Sequence, residues 1–218
     1  MMQQMTQGGL VNRMIRAAKL DRSLYREVAA DPTLNGEATL AVVIASVLSA
    51  IGSFLGIIIL GSAISFGTTA VLGLSMGYAV ISGLIIGPIV SVLSWLLWAL
   101  VSWFVGTRVM AAMDSSTPAG TGVPVGAPIT FWSVARALGY AQGPNALGIL
   151  GFIPVLGLLV RFVIWIWVLL TGFVAIRESM RLSDGQTIAV VVIGFLAYIV
   201  VSFVVYGILI AGALATIF

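Results

Sequence analysis

Residues 38–107 read ATLAVVIASVLSAIGSFLGIIILGSAISFGTTAVLGLSMGYAVISGLIIGPIVSVLSWLLWALVSWFVGT, without one Asp, Glu, Lys or Arg. A helix needs roughly 20 apolar residues to cross the hydrocarbon core of a bilayer. The run therefore holds two long spans or three short ones. Parity selects two. Arg13, Arg16, Lys19, Arg22 and Arg26 precede the run and Arg108 ends it. An excess of Lys and Arg beside span ends stays cytoplasmic. Both ends then belong on one side, which requires an even number of crossings. We place spans at about 38–60 and 78–105, with the Gly/Ser/Thr-rich stretch around 62–76 as an outer loop.

Composition supports the same solvent. The chain is 61% apolar and 8% charged over 218 residues, whereas a soluble domain carries about 25% charge. A surface with so few charges suits lipid. Cysteine and histidine are both absent. Disulfides, thiolate metal sites and thiol nucleophiles are thereby excluded. So are the commonest general base and the usual axial ligand of haem.

Outward from the run, residues 107–129 form the clear linker, with Asp114, Ser115, Ser116, Thr117, Pro118 and several glycines. A cytoplasmic loop is expected there, flanked by Trp103 and Trp132 at the depth of an aromatic belt. Spans at about 131–149, 155–176 and 187–215 follow. The first of these is weak. It holds Arg136, Tyr140, Gln142, Gly143, Pro144 and Asn145, the content of a broken or re-entrant helix, which lipid tolerates only where protein or water covers it. Of the 10 basic residues only Arg161 falls near the outer side, and all 7 acidic residues fall on the inner side. The expected architecture is an all-α, polytopic transmembrane helical bundle of about five spans. Its N-terminus is cytoplasmic and its C-terminus outside.

Upstream of the run, residues 1–8 read as a disordered N-terminus without the apolar core of a signal peptide. Residues 9–34 read as an amphipathic helical segment. Leu10, Val11, Met14, Ile15 and Ala18 fall on one side of the first helix, and Arg13, Arg16 and Lys19 on the other. Asp21 is placed to cap a second helix, and Asp31-Pro32 to stop it. This segment is expected to lie in the membrane interface, with Arg13, Arg16 and Lys19 on lipid headgroups or simply solvated.

The motifs carry little chemistry. Gly73-Leu74-Ser75-Met76-Gly77 matches the nucleophile-elbow pattern but lacks a strand and a histidine partner. Gly120 to Gly126 is glycine-rich without the Lys-Ser/Thr of a phosphate loop. Four Gly-xxx-Gly pairs, Gly52/Gly56, Gly73/Gly77, Gly83/Gly87 and Gly139/Gly143, are suited to close helix packing. Arg136, Tyr140, Gln142, Asn145 and Arg161 are the candidate polar or ligand site. The competing reading has Arg136 snorkelling to the inner face and Arg161 to the outer one. No carboxylate lies within a span, so neither arginine has a counter-ion there and no acid-based proton relay exists. No metal or cofactor site is expected. Acidic residues interleave the basic ones, which argues against nucleic-acid binding.

The order of elements resembles the Yip family of Ypt/Rab-interacting membrane proteins, and its prokaryotic members in particular. The likeness covers roughly 9–212. It rests on the helical segment 14–32 ahead of the first span and on Gly139-Tyr140-Ala141-Gln142-Gly143-Pro144 in the third. It also rests on Ile153-Pro154-Val155-Leu156-Gly157 opening the fourth and on Val174-Ala175-Ile176-Arg177-Glu178 closing it. The resemblance implies five spans, a cytoplasmic N-terminus and no enzymatic activity. In eukaryotic relatives it implies binding of prenylated small GTPases. The Asp-Leu-Tyr-Gly-Pro-like segment ahead of the first span is lacking here, so that partner is not carried over. A prokaryotic plasma-membrane scaffold or adaptor is expected, with lipid and other integral membrane proteins as partners. The alternatives are an accessory subunit of a respiratory or photosynthetic complex, and a small-solute transporter or channel.

Overall fold

A computed structural model describes residues 8–64, 81–110, 129–153 and 156–215. Seven α-helices run through them: α1 (Leu10–Ala18), α2 (Arg22–Ala30), α3 (Asn35–Ile64), α4 (Gly87–Phe104), α5 (Phe131–Ala141), α6 (Leu156–Met180) and α7 (Asp184–Ala215). Short π-helical turns, Ile81–Ile86 and Val105–Met110, extend α4 at both ends. A 3₁₀ helix, Gly143–Phe152, follows α5. Ser62 to Ile64, expected at the start of the outer loop, are the last turn of α3; the rest of that loop, the Gly73–Gly77 motif and most of the 107–129 loop lie outside the described residues.

Among the described residues three stretches are long and apolar enough to cross a membrane: Pro32–Gly56, Gly83–Arg108 and Leu156–Met180. The 32 residues of α7 make a helix of about 48 Å at 1.5 Å per residue. Large apolar side chains stay outside the bundle on these helices, Leu93 on α4, Leu158 on α6 and Phe203 on α7 among them. A surface of that kind is stable against lipid and unstable against water.

The expected third span, 131–149, is not one α-helix. Thr130 caps α5 with its side chain on the Ser133 N–H, and Ser133 returns a bond to the Thr130 N–H. The helix then stops at Ala141. Pro144 has no N–H and would clash with the carbonyl four residues back, so the chain tightens to i+3 bonding, Asn145 N–H to Gln142 O at 2.9 Å. Ten residues of 3₁₀ helix is long for a conformation used mostly in runs of 3–4. Tertiary packing holds it, with α3 and α6 lying against it. Ser133 to Ala141 are all buried, because α1, α2, α3, α4 and α6 all pack on α5.

The N-terminal segment packs on the bundle. Met14 and Ala17 of α1, with Leu24, Tyr25 and Val28 of α2, are buried in the common core. The pair therefore folds under the bundle against α5 and α6 and presents its buried face to protein, not to lipid. Val11 and Ile15, expected on the same apolar face, are exposed. An amphipathic pattern states that one face wants an apolar partner, and a helix bundle satisfies it as well as lipid does. Leu20 ends α1 at φ 61° in a Schellman turn, with Leu20 N–H on Ala17 O and Asp21 N–H on Arg16 O.

Candidate functional site

The N-terminal pair is held by charge and by helix ends. Arg13 donates from one Nη to both oxygens of Glu37 at 2.7 Å, tying α1 to α3. Arg16 bonds Asp21 at 2.8 Å and Glu27 at 3.1 Å, tying α1 to α2. Arg26 reaches Glu178 at 2.6 Å, tying α2 to α6. Trp167 on α6 donates to Ala18 O at 2.8 Å. Arg13 and Arg16, expected on headgroups, are thus committed to carboxylates of the chain itself. Lys19 remains exposed.

Asp21 caps α2 through Ser23 N–H at 2.9 Å and Leu24 N–H at 3.4 Å. Burial alone would raise its pKa. The bonds from Ser23, Arg16 and Leu24 outweigh that effect and hold the carboxyl at about 2. Tyr25 is pushed up by burial, stays protonated, and donates to Ala17 O at 2.9 Å.

Arg136 is held by acceptors of the chain itself. It is 5% exposed and points at the C-terminal end of α2. Its Nε donates to Val28 O at 2.8 Å, one Nη to Ala29 O at 2.6 Å and the other to Asn35 Oδ1 at 2.8 Å. The last carbonyls of a helix lack intrahelical donors and carry partial negative charge. The guanidinium supplies both needs. Tyr140 is buried on the same helix and interacts with Arg13 and Glu37, its hydroxyl falling short of hydrogen-bond geometry.

The other predicted polar residues meet elsewhere. A cavity of about 270 Å³ lies between α3, the 3₁₀ segment and α6. Gln142, Asn145 and Gly148 line one wall, Ser49 and Ser53 of α3 a second, and Arg161, Ile164, Trp165 and Val168 of α6 a third. Trp98 of α4 and Phe195 of α7 complete it. Asn145 donates to Gln142 Oε1 at 2.6 Å, Ser49 to Asn145 O at 2.6 Å, and Arg161 to Ser53 Oγ at 2.7 Å. The candidate polar set therefore divides. Gln142, Asn145 and Arg161 share the cavity, while Arg136 and Tyr140 serve the N-terminal pair. Sequence reasoning missed Ser49 and Ser53, since serine in an apolar span gives no positional signal.

The glycines also sort by place. A Cβ on Gly52 would collide with the backbone of Gly148 and Ile149, and one on Gly56 would lie 3.2 Å from Gly151 O. These two let α3 lie directly on the 3₁₀ segment. Gly139 meets Ala38 O at 3.0 Å and Gly143 meets Met14 O at 3.0 Å by the same measure. Among the described residues Gly83 has only Ala50 Cβ nearby, at 3.9 Å, an ordinary contact that does not require glycine. Gly87 opens α4. Trp98 stands between Gly172 and Gly194, where added Cβ atoms would come within 2.5 Å and 2.7 Å of its ring. Those two glycines belong to no Gly-xxx-Gly pair, and the sequence did not single them out.

Among the described residues no group of three or more acidic, His or Cys side chains could hold a metal. Comparison with curated proteins and with solved structures finds no match. The Yip1 domain matches residues 21–206, a range running from the Asp21 cap through the cavity into α7. With the membrane-length helices above, that places the chain in the Yip family of integral membrane proteins.

Proposed function

We propose that this chain is a non-enzymatic membrane scaffold or adaptor that binds lipid and other integral membrane proteins. One observation carries the reading. The ion pairs and the buried Arg136 are spent on tying α1 and α2 to the bundle, so charge among the described residues serves architecture. The reading includes five spans, with α1 and α2 on the cytoplasmic side of a prokaryotic plasma membrane. The segment 131–152 counts as the third crossing: α5 contributes about 16 Å, and the 3₁₀ segment about 20 Å at 2.0 Å per residue.

The test is crosslinking and affinity purification from the native membrane. Recovery of the same integral membrane proteins with the tagged chain is the expected result. A chain that remains monomeric and alone in mild detergent overturns the scaffold reading. Comigration at fixed stoichiometry with a respiratory or photosynthetic assembly selects the accessory-subunit alternative. The cavity beside a broken helix favours a second reading, a small-solute carrier. Liposome flux that is unchanged by Asn145→Ala and Arg161→Ala removes it.

A further inference from the structure

The arginines at membrane depth are used differently. Arg136 has three acceptors from the protein. Arg161 has one, the neutral Ser53 hydroxyl, and no carboxylate within ion-pair distance among the described residues. A guanidinium carries five N–H donors in a planar fork matched to phosphate and carboxylate. Most of that capacity at Arg161 is unclaimed. The side chain is exposed and lies along Gly151, where a Cβ would stand 3.4 Å from Nε. It sits five residues inside the start of α6, about 7.5 Å along the helix. An arginine left in that position without an anion is unfavourable in a bilayer.

The cavity behind it has two chemistries. Ser49, Ser53, Gln142 and Asn145 present neutral polar groups, and Trp165, one turn beyond Arg161 on α6, forms an aromatic wall with Phe195, the two rings edge-to-face at 5.5 Å. A cavity of about 270 Å³ is close to the lower end of small-ligand sites, room for a headgroup-sized fragment with a short apolar portion. A free anion would gain nothing from the aromatic wall, and a hydrocarbon would gain nothing from the arginine. We infer that this cavity is a binding site for an anionic amphiphile, with the phosphate of an anionic phospholipid on Arg161 and the adjoining apolar part of that lipid against Trp165 and Phe195. The site deepens the lipid half of the scaffold reading and stands whether or not partner proteins are found.

The experiment uses the delipidated full chain in detergent, followed by tryptophan fluorescence and by thermal unfolding. Titrants are short-chain phosphatidylglycerol, short-chain phosphatidylcholine, glycerol 3-phosphate and inorganic phosphate. Phosphatidylglycerol is expected to perturb the fluorescence and raise the unfolding temperature saturably. Phosphatidylcholine and the two headgroup anions are expected to bind at least about tenfold more weakly, the ratio that one charge-assisted contact or one apolar contact of this size supplies. Arg161→Gln should abolish the preference for phosphatidylglycerol, Arg161→Lys should keep part of it, and Arg108→Gln, on an exposed cation remote from the cavity, should leave it intact. Circular dichroism checks that each variant is folded, and native mass spectrometry of Phe195→Leu reports on the apolar wall without touching the charge. Equal binding of the two phospholipids by the native chain overturns the proposal. Inorganic phosphate binding as tightly as the lipid overturns the amphiphile assignment and leaves a plain anion site.

Discussion

Arg136 shows what a single residue does when lipid surrounds the fold. Its three bonds end on α2 and on Asn35, so removing it strands two helix-terminal carbonyls. Arg136→Ala should cost about 3 kcal/mol, the range for hydrogen bonds to a buried charge. Lysine should not restore it, because one ammonium cannot reproduce the fork. Limited proteolysis within α2 checks this, with faster cleavage expected in both variants. Asp21 gives a pH prediction. Its folded pKa of about 2 lies below the ordinary 3.8, so its contribution is present above pH 4 and is lost as pH falls from about 4 to 2. The docked α1–α2 pair should loosen over that window. Asp21→Asn should flatten the response by about 1 kcal/mol, after allowance for solvent screening at a half-exposed carboxylate. Proteolysis rate against pH reads it.

At the scale of elements, contact between α3 and the 3₁₀ segment decides the shape of the cavity wall. Backbone approaches backbone at Gly52 and Gly148, which places Asn145 and Gln142 within reach of Ser49. Gly52→Ala should lower stability by about 2 kcal/mol, the cost of forcing a methyl into a filled interface. Gly83→Ala should stay within about 0.5 kcal/mol, because its neighbour is at ordinary contact distance. Thermal unfolding of the purified variants in detergent separates the two. A large loss at Gly83, or none at Gly52, contradicts the packing described here. Both glycines stand in Gly-xxx-Gly pairs, and the pattern alone gives them equal weight. Only the position of the partner backbone distinguishes them.

For the whole molecule, the five-span proposal makes a direct prediction. The chain has no cysteine, so single reporters are clean. Ser62→Cys should label from outside the cell with a membrane-impermeant maleimide, and Ser115→Cys and Ser183→Cys should label only after the membrane is opened. External labelling at position 115 or 183 overturns the topology. The helical class, the membrane environment and the family likeness were legible from residues alone, because lipid imposes long uncharged runs and sorts arginine to one side. Pro144 raises a break in the third span as one reading, since proline forbids the helix locally, and the end of α5 at Ala141 decides it. The sequence could not decide which partner an amphipathic face would choose, or which acceptors a lone arginine would find. Residues 10–30 carry a pattern that fits an interface or a protein groove equally, and the groove exists only once α5 and α6 are assembled. Arg136 and Arg161 read alike for the same reason. Their difference comes from groups more than 100 positions away, Val28 for one and Ser53 for the other, and only the tertiary fold brings such groups together.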